Sequence, residues 1–152
     1  MKFFRCLCLI GLFIFLNSQI IQALTRQSLV LATSTESSLP ALTVQEARKL
    51  FLGMQIQKAG AHPVPLLNIS DPLIFEVFLQ NVAFMSASVY ENQSLSVVFR
   101  LGGKRPERFD DLKTLVAALQ QNPGTVTFLW ENQVRENEGI KTVNVLWQGS
   151  LE

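Results

Sequence analysis

The sequence predicts an α/β fold: one domain with a mixed sheet flanked by about four helices. Three observations predict it. Short β-rich apolar segments alternate along the chain with segments of helical periodicity. Helix-start signals recur at Thr43, Asp71, Ser86 and Asp110, each just ahead of such a segment. No internal repeat or low-complexity tract divides the chain.

The first strand is expected over Ser28–Ala32 (SLVLA), with Thr33-Ser34-Thr35 as the polar loop after it and Glu36 to Ala41 as a connection. Thr43-Val44-Gln45-Glu46 has the form of a capping box, in which the Thr43 hydroxyl accepts from the Glu46 amide and Glu46 reaches back to the Thr43 amide. Val44, Ala47, Leu50 and Phe51 then fall on one helical face, and Gly53 is placed to end the helix in the left-handed conformation. Residues 54–62 turn.

Val64 to Ile69, with prolines at 63 and 65, reads as an edge strand, because proline cannot donate to a ladder. Asp71-Pro72 opens a helix carrying Phe75, Phe78, Leu79 and Val82, with aspartate as N-cap and proline at the first helical position. Ser86 caps a third helix that bears Val89, Tyr90, Val97, Val98 and Phe99, and Gly102, Gly103 and Pro106 stop it. Asp110 caps a fourth, running to Gln121 with Leu112, Leu115, Val116 and Leu119 on one face. Asn122-Pro123-Gly124 turns the chain into two β-rich segments, Thr125 to Trp130 and Thr142 to Trp147, with a charged loop from Glu131 to Lys141 between them.

The amino terminus carries an export signal. Lys2 and Arg5 form a short positive region, and Cys6 to Leu16 is an unbroken apolar run, short of the ~20 residues that a spanning helix needs. Polar residues follow, and a cut is expected after Ala23, so that residues 1–23 are the signal peptide and 24–152 the exported domain; the alternative is that the segment stays on as an uncleaved anchor. Both cysteines lie in the signal, so the exported domain has no disulfide, thiolate nucleophile or cysteine-based metal site. Its eleven basic side chains stand against twelve acidic ones, which gives no electrostatic case for nucleic acid as a partner. The expected location is the periplasm or the medium.

Few residues suggest chemistry. The lone histidine, His62, has neither cysteine co-ligands nor a paired nucleophile, and reads as a loop residue. Asp110 and Asp111 suit a helix start better than an acid/base pair. Gly102-Gly103-Lys104-Arg105 lacks the spacing of a phosphate loop, and Asn68-Ile69-Ser70 and Asn92-Gln93-Ser94 are sequon tripeptides that arise by chance. No catalytic residue, metal site or cofactor is assigned. Two places could hold an anion: Thr33, Ser34 and Thr35, just after the first strand, and Ser70, at the start of the Pro72 helix. Loop solvation and capping are the competing roles of the same four hydroxyls.

The order of these motifs resembles phosphate ABC-transporter substrate-binding proteins. Leu42-Thr43-Val44-Gln45-Glu46 through Ile-like Leu50-Phe51-Leu52-Gly53 is similar to the family's L-(T/S)-x-x-(Q/E)…I-F-L-G helix, and the match is to its short, single-domain exported forms. Pro65 to Ser70 leading into Asp71–Val82, Phe99 before Gly103 and Pro106, and Asn122-Pro123-Gly124-Thr125-Val126-Thr127-Phe128 against the family's N-P-G-A-I-G-Y follow in order. The family's Ser-Gly-Thr phosphate loop is replaced by Asn68-Ile69-Ser70-Asp71, and the aromatic centre of its third helix by Gln93-Ser94. The resemblance implies a single lobe of a type-2 periplasmic binding protein. It implies a non-enzymatic solute-binding role, with phosphate or another small oxyanion as ligand and an envelope membrane protein as partner in transport or sensing. The alternative is an interaction module that keeps the lobe and has lost the ligand.

Overall fold

A computed structural model describes residues 26–150; the expected signal peptide and its expected cut lie outside the described residues. Residues Ser28–Trp147 cluster as one compact unit, and the described ends, 26–27 and 148–150, belong to a second. The elements run β1 (Arg26–Ser34), α1 (Val44–Phe51), β2 (Val64–Asn68), α2 (Pro72–Phe78), α3 (Ala87–Leu101), β3 (Glu107–Phe109), α4 (Leu112–Gln121), β4 (Thr125–Trp130), α5 (Glu131–Glu136) and β5 (Ile140–Ser150). The sheet has five strands in the order β3-β2-β4-β1-β5. β2 is parallel to β3 and β4, while β1 is antiparallel to β4, so the sheet is mixed. No single described helix is long and apolar enough to cross a membrane.

β4 is buried along its whole length, so both faces of the sheet are covered. Period-two alternation divides its neighbours between the faces. Val30, Ala32 and Leu129 join Leu115, Val116 and Leu119 of α4 in one cluster. On the other face Phe128 stacks on Phe78 of α2, with centroids 4.1 Å apart and planes 4° from parallel. The Phe51 ring of α1 meets both rings edge-on. Tyr90 is the one large apolar side chain that α3 buries. Its hydroxyl donates to the Phe51 carbonyl at 2.5 Å, and burial raises the phenol well above its ordinary range.

The capping box forms as expected, with Glu46 N donating to Thr43 Oγ1 at 3.2 Å and Thr43 N to Glu46 Oε2 at 2.7 Å. Lys58 adds an ion pair at 2.7 Å, and its hydrogen bond, followed by that of the Thr43 amide, lowers the Glu46 carboxyl from 4.5 to about 2. A depressed carboxyl contributes stability that is present above its unfolded value and is lost as the pH falls through its folded one. Urea unfolding of the parent should therefore weaken between pH 4.5 and 2. Glu46→Gln, which can still cap, should flatten that limb; parallel limbs in parent and variant would refute this account of Glu46.

Several expectations need correcting. β1 continues through Thr33 and Ser34, both buried, rather than ending at Ala32. β2 is not an edge strand: β3 covers it, but the β2–β3 register starts at Leu66, so Pro65 sits where only β4 pairs with the strand. The N-cap of α4 is Asp111, whose carboxylate accepts from Thr114 N at 2.9 Å, and not Asp110. Within the charged stretch after Trp130 lies a helix, α5, rather than a loop: Gln133 Oε1 accepts from the Trp130 amide and Val134 is buried. Among the described residues the helices therefore number five, with a π-helical turn at Leu79–Ala83 after α2. Of the apolar residues that the third helix bears, Tyr90 is buried while Val89 and Phe99 are exposed.

Candidate functional site

β1 and β2 run in opposite directions on either side of β4, so their carboxyl ends lie at opposite edges of the sheet. Thr33, Ser34 and Thr35 are at the Thr125 end of β4, while Ser70 follows Asn68 near its Trp130 end. Six residues of β4 separate them, roughly 17 Å at the rise of an extended strand. The four hydroxyls do not converge on one site.

Each hydroxyl also has an internal hydrogen bond. Thr33 Oγ1 donates to the Thr125 carbonyl at 2.7 Å, inside the sheet. Ser34 Oγ accepts from the Glu36 amide at 3.2 Å, which turns the chain out of β1. Thr35 Oγ1 donates to the Gly139 carbonyl at 3.3 Å. There Lys141 Nζ also donates to the Thr35 and Ser37 carbonyls, at 3.2 and 2.8 Å.

Ser70 stands where open α/β sheets hold ligands, at the carboxyl end of a parallel strand and the start of a helix. It is organised by Asn68, which is fully buried. Asn68 Nδ2 donates to the Phe128 carbonyl at 3.0 Å, and its Oδ1 accepts from both the amide and the hydroxyl of Ser70, at 3.0 and 2.7 Å. The Ser70 hydroxyl thus spends its proton on Asn68 and turns only lone pairs outward. Asp71 adds a carboxylate: Oδ1 accepts from Leu73 N at 2.9 Å, and Oδ2 lies 3.5 Å from the Trp130 indole nitrogen. This end presents acceptors and a negative charge, which suits a donor group better than an oxyanion.

Asn68 is the residue that organises this end, a role that neither its sequon nor its place in the segment replacing the family's phosphate loop announces. A polar residue closing an apolar strand just before a helix cap was the available signal. Its burial also removes it as a glycosylation acceptor in the folded domain.

Among the described residues no group of three or more histidine, cysteine, aspartate or glutamate side chains could hold a metal. A second polar cluster ties α3 to β3, where Glu91 accepts from Arg105 and from Arg108, the latter at 2.5 Å. Burial alone would raise Glu91, but the two guanidinium groups hold it below the usual carboxylate range.

No family model matches the sequence, and no curated protein does. Solved structures do match. PstS from Borrelia burgdorferi aligns over 79% of this chain and 47% of its own, with a TM-score of 0.54 and 11% identity. A Clostridium perfringens protein assigned as a phosphate ABC transporter substrate-binding protein, and solved with bound phosphate, aligns over 78% of this chain and 45% of its own, at 0.58 and 14%. A protein from Planctomyces limnophilus described in terms of phosphate binding gives 0.56 and 12%, over 78% and 41%. The chain spans less than half the length of each. Its mixed sheet and helices therefore share their fold with part of these phosphate ABC-transporter substrate-binding proteins of known structure.

Proposed function

We propose that this chain is a non-catalytic binding protein, exported by residues 1–23 and serving an envelope transport or sensing system through a membrane-protein partner. The observation that carries the partner reading is the surface of α3. That helix buries only Tyr90 and Ser94, while Phe99 is 84% and Leu101 67% exposed, and Val89 and Leu95 are exposed as well. Leu95 and Phe99 are four residues apart and share a helical face. Large aromatic and aliphatic side chains left in water on one helix mark an interaction surface. A benzophenone side chain at Phe99 should give one discrete adduct in the native envelope, and one at Lys113 on α4 should give none. Leu95→Ser, on the same face as Phe99, should abolish the adduct. Equal labelling from both positions would refute the partner reading.

The second reading is a small oxyanion such as phosphate, held at the sheet ends by Ser70 or by Thr33, Ser34 and Thr35. The solved neighbour with bound phosphate supports it. The occupied hydroxyls and the Asp71 carboxylate weigh against it. A binding anion raises the melting temperature by mass action. A concentration-dependent rise with phosphate or sulfate that Ser70→Ala abolishes would establish this reading in place of the first.

A further inference from the structure

At the edge of the sheet opposite Ser70, the amino ends of β2 and β3 border a cavity of about 350 Å³. Leu50 from the end of α1, Pro63 and Leu66 from β2 and its approach, and Pro106 before β3 are buried in its lining. His62, Lys104 and Glu107 are exposed, at the solvent side. The walls are held by backbone contact. A Cβ at Gly103 would fall 2.1 Å from the Gly53 carbonyl oxygen, and Gly53 itself has φ +95°. Only glycine at both positions lets the 102–106 loop close on the end of α1.

The charges around this cavity do not cancel. Arg105 and Arg108 share the single carboxylate of Glu91, so that trio keeps one positive charge. Lys104 joins none of the ion pairs among the described residues, and Glu107 offsets one of the two cations that remain. One net positive charge beside a preformed apolar pocket matches one negative charge on an apolar body. The volume is at the small end of the ~300–1,000 Å³ typical of ligand sites, which suits a small molecule and not a peptide.

We propose that this cavity binds a small amphipathic monoanion, a carboxylate on a short aliphatic or aromatic body, with Lys104 at the carboxylate and Leu50 and Leu66 against the apolar part. The site is independent of both readings given above, since neither α3 nor the carboxyl ends of the strands contribute to it.

Benzoate and hexanoate titrated into the purified ¹⁵N-labelled chain should shift the Gly53, Ile56 and Lys104 amides saturably. Benzyl alcohol and benzylamine should bind at least about tenfold more weakly, because each lacks the charge-assisted bond to Lys104. Lys104→Ala removes an exposed side chain, leaves the melting temperature unchanged, and should weaken benzoate by about tenfold. Val64→Trp, which fills the cavity from an exposed position, should abolish binding without touching a charge. Parental affinity in Lys104→Ala, equal binding of benzyl alcohol, shifts centred on Asn68–Asp71 or on α3, or no saturation by ~20 mM would each overturn the proposal.

Discussion

Phe78→Ala should lower the unfolding free energy by about 3–5 kcal/mol, the largest effect of any single truncation considered for this domain. The ring is fully buried and is the hub of its face of the sheet. It stacks on Phe128 and meets Phe51 and Tyr90 edge-on, so α1, α2, α3 and β4 all touch it. Removing it forfeits the transfer energy of a whole aromatic side chain and leaves a cavity bounded by rigid rings, which collapse poorly. Chemical denaturation of parent and variant measures the effect directly. Phe99→Ala is the matched control: the same chemistry at 84% exposure should change stability by less than about 0.5 kcal/mol. Equal losses from the two substitutions would mean that the Phe78 side of the core is not packed as described.

Asn68→Ala should cost about 3 kcal/mol, although it deletes only a small polar side chain. The side chain makes three hydrogen bonds, and all three partners are at or near the core: the Phe128 carbonyl, the Ser70 amide and the Ser70 hydroxyl. Alanine strands a buried carbonyl and a turn amide at once, and an unsatisfied buried group costs about 1–3 kcal/mol. The change also frees the Ser70 hydroxyl to donate outward. A stability loss without altered anion response would assign Asn68 to holding the β2–α2 turn. A loss accompanied by new phosphate-dependent stabilisation would show that Asn68 is what suppresses oxyanion binding at this lobe. A variant as stable as the parent would contradict the hydrogen bonding at this turn.

Much of the fold was legible in the residues. The capping box at Thr43, the Asp71-Pro72 start and the Ser86 cap are local devices whose partners lie within a few residues, so their chemistry appears in a short window. The β-rich segment that forms β4 could be read for the same reason, as could the left-handed glycine at 53. From such local signals and their order the α/β class followed, and with it the resemblance to phosphate ABC-transporter substrate-binding proteins.

What the residues could not supply was direction and neighbourhood. That β2 is an interior strand depends on β3, a three-residue strand in a Gly/Pro-rich stretch with no periodicity of its own. The antiparallel run of β1 sends Thr33, Ser34 and Thr35 to the edge away from Ser70, and nothing in either segment encodes that. Hydroxyls that look available in a sequence were spent on carbonyls more than 90 residues away, as Thr33 is on Thr125. The apolar residues of α3 do not say which of them will be covered, and the fold buries Tyr90 while it leaves Phe99 in water. The sequence by itself determined the local elements, their caps and the class of fold, because those rest on interactions of short range. Only the tertiary structure decided which polar groups are already satisfied, which apolar groups remain exposed and where a cavity with uncancelled charge lies, because each is a balance among segments far apart in the chain.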